Sequence, residues 1–234
     1  MDPLRMQYFS EAEITNLYET KVKLPDSYFK KYETLPAWPC TKFPMAWNTI
    51  DFPRVICVHD FKEWVEKYNL KHVESLGYTF ETDPELEFLT PGRSRLMKYP
   101  GFDFHTIDRL VDEQFDFFVF NQTLEHLYNP FLAMESLFKI IKPGGYVFTS
   151  VPTLNIPHAL PFHYNGFTPL GLAMLFKSVG FEVMEIGQWG NYAYIQKLWG
   201  SHGWPGYDQL QVGGKVSNER QNVCQCWILA RRPI

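Results

Sequence analysis

The sequence predicts an α/β fold with a mostly parallel sheet, and three observations predict it. Two short apolar runs, residues 117–120 and 146–151, lack polar alternation, the pattern of strands buried on both faces beneath helices. Between them Ala133, Leu137, Ile140 and Ile141 recur at helical spacing, after Asn129-Pro130 as a start and before Lys142-Pro143-Gly144-Gly145 as a stop. Strand, helix and strand in that order, closed by a tight glycine turn, make a βαβ crossover, whose two strands must run parallel. At 234 residues, 45% hydrophobic and 21% charged, the chain can bury the core of one such domain and carry an appendage.

Taken in order, residues 1–59 are rich in Tyr, Pro and Trp and read as an N-terminal extension packed on a domain spanning 60–234. Their clearest helix runs over residues 10–18, with Ser10 and Glu13 as a capping box. Asp60 is placed to cap a helix whose apolar face is Phe61, Trp64, Val65 and Tyr68. Residues 71–77 read as the first strand, 95–99 as the second and 102–107 as the third. A rival alignment puts the first strand at 55–58 and an acidic turn at 81–85, which keeps Glu81 and Asp83 in reserve as site residues. Beyond the central unit, the Pro-rich residues 152–161 form a loop at the carboxyl edge of the sheet, where open α/β sheets bind ligands. Thr168-Pro169 opens a helix with Leu172, Leu175 and Phe176 inward and Gly180 at its end. Strands at 181–186 and 223–230 follow, the last returning antiparallel.

Charge and composition exclude several functions. The formal net charge is −4 without a basic cluster, so a nucleic acid is not the expected partner. No apolar run approaches the roughly 20 residues of a membrane helix, and the N-terminus lacks the order of a signal peptide; a cytoplasmic protein is expected. Four cysteines are too few for a disulfide scaffold. Cys224 and Cys226 read as buried free thiols pointing the same way from a strand, with a metal or redox pair as the alternative.

Over residues 115–152 the chain reads FD, four apolar residues, NQT, LEHL, an N-P helix start, KPGG and an apolar strand ending in VP. This order resembles the fourth strand, following helix and fifth strand of class I S-adenosylmethionine-dependent methyltransferases. The resemblance implies a Rossmann-like fold, a mostly parallel seven-stranded sheet with helices on both faces, and S-adenosylmethionine as cofactor. It places Asn121, Gln122 and Thr123 against the cofactor, with His126 of LEH at the cleft. It puts Ser75, Gly77 and Tyr78 at the cofactor loop after the first strand, Tyr99 at the end of the second, and Asp108 near the adenine. The cofactor would then lie in one crevice between the bends at Gly77 and Asn121. Two departures stand out: the loop has a single glycine, and Lys98-Tyr99 occupies the place of the acidic residue that usually holds the ribose.

Methyl transfer to a hydroxyl needs an oriented acceptor and a base for its proton. His158 and His163, on the loop at the carboxyl edge, are the candidate bases, with Glu125 beside them. Glu125 could instead hold a divalent ion with a histidine, and metal dependence stays open. Trp189, Tyr192, Tyr194, Trp199, Trp204 and Tyr207 supply aromatic faces with polar edges, suited either to sugar rings or to core and interface packing. The pattern from His158 to Asn191, HxxPFHYxGFTPxGLxxLFxxxGFEV and then WGN, looks like methyltransferases of polysaccharide modification. It is also similar to the methyltransferase domain of multidomain glycan-synthesising proteins of large algal viruses. The implied activity is O-methylation of a sugar hydroxyl of a glycan. The alternatives are another small hydroxylated or amine acceptor, and a methyltransferase-like binding module without catalysis. The oligomeric state stays open.

Overall fold

Helices on two faces of a twisted sheet bring the loops after the central strands to one edge. The structure, a computed structural model, describes residues 8–43, 52–158, 162–201 and 203–234. In chain order the elements are α1 (Glu11–Leu17), a π turn (Tyr18–Val22), α2 (Asp26–Lys31), α3 (Phe52–Lys67), β1 (His72–Tyr78), β2 (Thr90–Leu96) and α4 (Ile107–Leu110). There follow β3 (Phe115–Val119), α5 (Pro130–Ile140), β4 (Ile141–Pro152), α6 (Pro169–Ser178), β5 (Glu182–Trp189), α7 (Tyr192–Ser201) and β6 (Gln225–Arg231). The sheet order is β2-β1-β3-β4-β6-β5. Strand β6 pairs antiparallel with both neighbours, and the β1–β2, β1–β3 and β3–β4 pairs are parallel.

Local signals set the helix ends. Ser10 Oγ accepts from the Glu13 N–H while the Glu13 carboxylate accepts from the Ser10 N–H at 2.8 Å. Asn129 and Thr168 cap α5 and α6 through their side-chain oxygens, each with proline in the first turn. Gly144, at φ +82°, takes the left-handed turn of KPGG, and its N–H donates to the Arg232 carbonyl at 2.8 Å.

The core has two halves. On one face of the sheet Phe118, Val147 and Ile228 pack with Leu137 of α5 and Phe176 of α6. On the other, Phe117, Phe148 and Trp227 pack with Phe61 and Trp64 of α3, the Phe61 and Phe148 rings 4.5 Å apart. Each such side chain contributes about 2–3 kcal/mol by burial. The extension is fastened here. Tyr28 of α2 and Tyr32 just after it each donate a 2.7 Å hydrogen bond to Asp60 of α3, which also accepts from Trp227 Nε1 at 3.0 Å.

Several expectations are corrected. The described residues form a six-stranded sheet, not a seven-stranded one. Residues 102–107 are a 3-10 turn (Phe104–Thr106) leading into α4, because Asp103 accepts from the His105 N–H at 2.9 Å and bends the chain locally. The second strand is Thr90–Leu96 and not residues 95–99, and a short 3-10 turn (Pro84–Phe88) connects it to β1. Residues 55–58 lie within α3, so the first strand is β1. Asp60 is no cap; it is buried eight residues into a helix that runs through the 59/60 junction. Cys224 and Cys226 are buried and free, but Cys224 precedes β6 and packs in one half of the core while Cys226 packs in the other. No described helix is long and apolar enough to cross a membrane.

Candidate active site at the carboxyl edge of the sheet

Because β1 and β3 are parallel neighbours, the bends after Tyr78 and Phe120 lie side by side. Thr79 and Thr123 meet across them, Oγ1 to Oγ1 at 3.4 Å. Asn121 is fully buried; its Oδ1 accepts from the Ser150 N–H at 3.0 Å and its Nδ2 donates to Asp83 at 3.4 Å. Gln122 turns the chain at φ +44°, and its Nε2 donates to Ser150 Oγ at 3.2 Å. LEH is a 3-10 turn, Leu124–His126.

The hollow expected between the two bends holds side chains. Arg54, from the first turn of α3, reaches Asp83 at 3.2 Å, Glu85 at 2.7 Å and Ser150 Oγ at 2.8 Å. Burial pushes the Asp83 and Glu85 carboxyls upward, and the Arg54 guanidinium opposes it. Gly77 is no cradle for a ligand either. A Cβ there would lie 2.3 Å from the Phe118 ring, so glycine is required by strand packing. In this conformation the residues present do not fit an adenosyl group between Gly77 and Asn121.

The remaining cofactor candidates scatter. Ser75 is buried within β1 and donates to Asp116 at 2.6 Å. Tyr78 packs against the core, and Tyr99, 63% exposed, stands beyond the end of β2. Asp108 pairs with Lys139 at 2.9 Å beside Gln114 and Lys142, at the amino edge of β3 and β4. The structure therefore gathers Asn121, Gln122, Thr123 and His126 and leaves Ser75 and Asp108 elsewhere.

Open space lies further along the edge, over the ends of β3, β4 and β6. A cavity of about 300 Å³ is lined there by Gln122, Pro152, Asn155, His158, Tyr194 and Trp204, among others. Trp204 Nε1 donates to Asn155 Oδ1 at 2.9 Å, and the His158 and Trp204 rings are 6.2 Å apart. Of the aromatic run, Tyr194 and Trp204 face this cavity. Trp189 is core, Tyr207 packs on Phe52, and Tyr192 and Trp199 are exposed.

Behind His158 stand three further polar groups. His163 Nδ1 is 3.3 Å from His158 Nδ1, and the His126 ring is 5.0 Å from that of His158. His126 Nδ1 lies 2.7 Å from the Phe162 carbonyl. Glu125 is fully buried, neither of its oxygens has a hydrogen-bond partner, and Oε1 is 3.9 Å from His126 Nε2. Burial pushes its carboxyl up to about 8, against the pull of Arg54. Burial also lowers His126 and His163, favouring neutral imidazoles with a free lone pair. Such groups can take a proton or hold a cation. No sequence-based expectation names Arg54 or Asn155, while Glu85 falls in the acidic turn 81–85 of the rival alignment. A lone arginine at the start of an otherwise apolar helix turn was the one signal for Arg54, and Asn155 carried none.

Comparison with known proteins sharpens this. No curated protein matches the chain in sequence. Among solved structures, N-methyltransferase NodS of Bradyrhizobium japonicum is 12% identical, covering 90% of this chain and 100% of its own, with a TM-score of 0.47. The 1,6-didemethyltoxoflavin-N1-methyltransferase of Burkholderia thailandensis, with bound S-adenosylhomocysteine, is 12% identical over 76% and 78% of the two chains, with a TM-score of 0.48. The [4+2]-cyclase SpnF is 12% identical over 76% and 82%, also at 0.48. Residues 77–186, from the end of β1 into β5, match the family model of the methyltransferase domain. Over that stretch, just under half of its length, the chain is thus similar to a methyltransferase domain, a match that supports S-adenosylmethionine-dependent methyl transfer.

Proposed function

We propose that the protein O-methylates a hydroxyl of a sugar unit in a glycan. One observation carries this reading: the open cavity combines the aromatic edges of Tyr194 and Trp204 with His158, Asn155 and Gln122. Aromatic faces suit the apolar face of a sugar ring, and a few convergent polar groups fix its hydroxyls. His158 stands at the cavity wall with His163 behind it, Nδ1 to Nδ1 at 3.3 Å, and His163 takes the proton that the acceptor oxygen must lose. Glu125 and His126 stand behind His158, outside the cavity lining.

The test is methyl incorporation from S-adenosylmethionine into a panel of glycans, set against small phenols and amines. Transfer to the glycans is expected; transfer confined to phenols or amines overturns the sugar assignment. His163→Ala is expected to lower turnover by about 10²-fold or more with cofactor affinity retained, and unchanged turnover rejects the base. The filled hollow between Gly77 and Asn121 favours a second reading, a binding module of methyltransferase fold. Calorimetric titration with S-adenosylmethionine separates the two, since absence of heat leaves only the module.

A further inference from the structure

We propose that Glu125, His126 and His158 form a binding site for a divalent first-row transition-metal ion beside the cavity. One donor atom from each lies within 4.8 Å of the other two. Ligands about 2.0–2.2 Å from a shared ion stand roughly 3–4 Å apart, so about 1 Å of side-chain movement closes the set.

The hydrogen bonds around the cluster point the same way. His126 Nδ1 is 2.7 Å from the Phe162 carbonyl and His158 Nδ1 is 3.2 Å from the Ile156 carbonyl. A carbonyl oxygen can only accept, so each Nδ1 carries the proton and each Nε2 keeps the lone pair that a metal requires. This is how backbone carbonyls orient ligating histidines. Glu125 supplies the independent observation. A fully buried carboxylate without a single hydrogen-bond donor is costly, and a cation between it and the imidazoles would satisfy it.

The donor set selects the ion. Two imidazole nitrogens and one carboxylate oxygen suit zinc, cobalt, iron or manganese, whereas magnesium and calcium prefer oxygen ligands throughout. Three protein ligands would leave a coordination position open on a bound ion, and His158 also lines the cavity. His163 stays outside the set and is left for the proton. That last role rests on the O-methylation reading; the binding itself does not.

Cobalt tests the site. The protein is stripped with a chelator and titrated with Co²⁺, without methyl donor or acceptor, by calorimetry and visible absorption. One bound equivalent with a visible band of nitrogen and oxygen ligation is expected, and excess Mg²⁺ should not displace it. Glu125→Gln, which keeps the side-chain shape, and His158→Ala should each weaken Co²⁺ binding at least about 100-fold, beyond the effect of an outer-shell partner. His72→Ala, on an exposed histidine, should leave it unchanged. No binding, equal binding by Glu125→Gln, or displacement by Mg²⁺ overturns the site. Should His158→Ala fail to fold by circular dichroism, the wild-type spectrum and Glu125→Gln decide. In the wild-type protein, no cobalt binding with methyl transfer to glycans present strikes this site alone, and cobalt binding without that transfer strikes the glycan reading alone.

Discussion

Asp60 and Glu125 are both buried carboxylates, and the surroundings of the two are opposite. Asp60, in α3, accepts from Tyr28, Tyr32 and Trp227, and so ties the N-terminal extension to the last strand of the sheet. Burial pushes its carboxyl up while the Tyr32 and Tyr28 hydroxyls pull it back. Glu125, in the turn after β3, has no donor on either oxygen. The difference separates a carboxylate that holds the fold from one held ready for something the chain itself does not supply. A buried acid kept without partners opposes stability, which is the usual signature of a residue retained for chemistry.

That contrast can be broken by measurement. Asp60→Ala strips three donors of their acceptor and is expected to cost about 4 kcal/mol in urea unfolding; a loss within about 1 kcal/mol would show that the anchor is dispensable. Glu125→Gln is expected to change stability by less than about 1 kcal/mol at pH 7, because burial pushes the carboxyl up to about 8 and so already keeps it largely neutral. Methyl transfer should fall at least about 10-fold in the same variant, and a drop in both stability and activity would make Glu125 an ordinary structural residue. Tyr32→Phe removes one of the three donors to Asp60 and is expected to cost about 1 kcal/mol, leaving methyl transfer unchanged.

Elements whose signals are local were legible. Strands β3 and β4 were visible as uninterrupted apolar runs, and α1, α5 and α6 through Ser10, Asn129 and Thr168, because capping lies within three residues of the helix start. Elements set by distant partners were not. Asp60 has the residue type and place of a cap, yet it lies within α3 (Phe52–Lys67), whose Ile56 and Phe61 pack on the sheet. Residues 102–107 look like a strand until the Asp103 turn diverts them, and Asp108 is carried to the amino edge with them. In the site, Asn121, Gln122, His126, His158 and His163 could be placed at one edge from chain order alone, since loops after parallel strands share an edge. The pairing of Arg54 with Asp83 and Glu85 could not, for it joins residues about 30 positions apart in sequence.

By itself, the sequence determined an α/β fold that resembles a methyltransferase domain, with a histidine-bearing loop at the carboxyl edge of its sheet. It could do so because strand burial, helix capping and the βαβ turn are written in short stretches of neighbouring residues. Only the tertiary structure decided that the hollow between Gly77 and Asn121 is filled, that the open cavity lies beside His158, and that Glu125 is buried without a partner. Each depends on which side chains from separate elements reach the same few ångströms, and periodicity does not encode that distance.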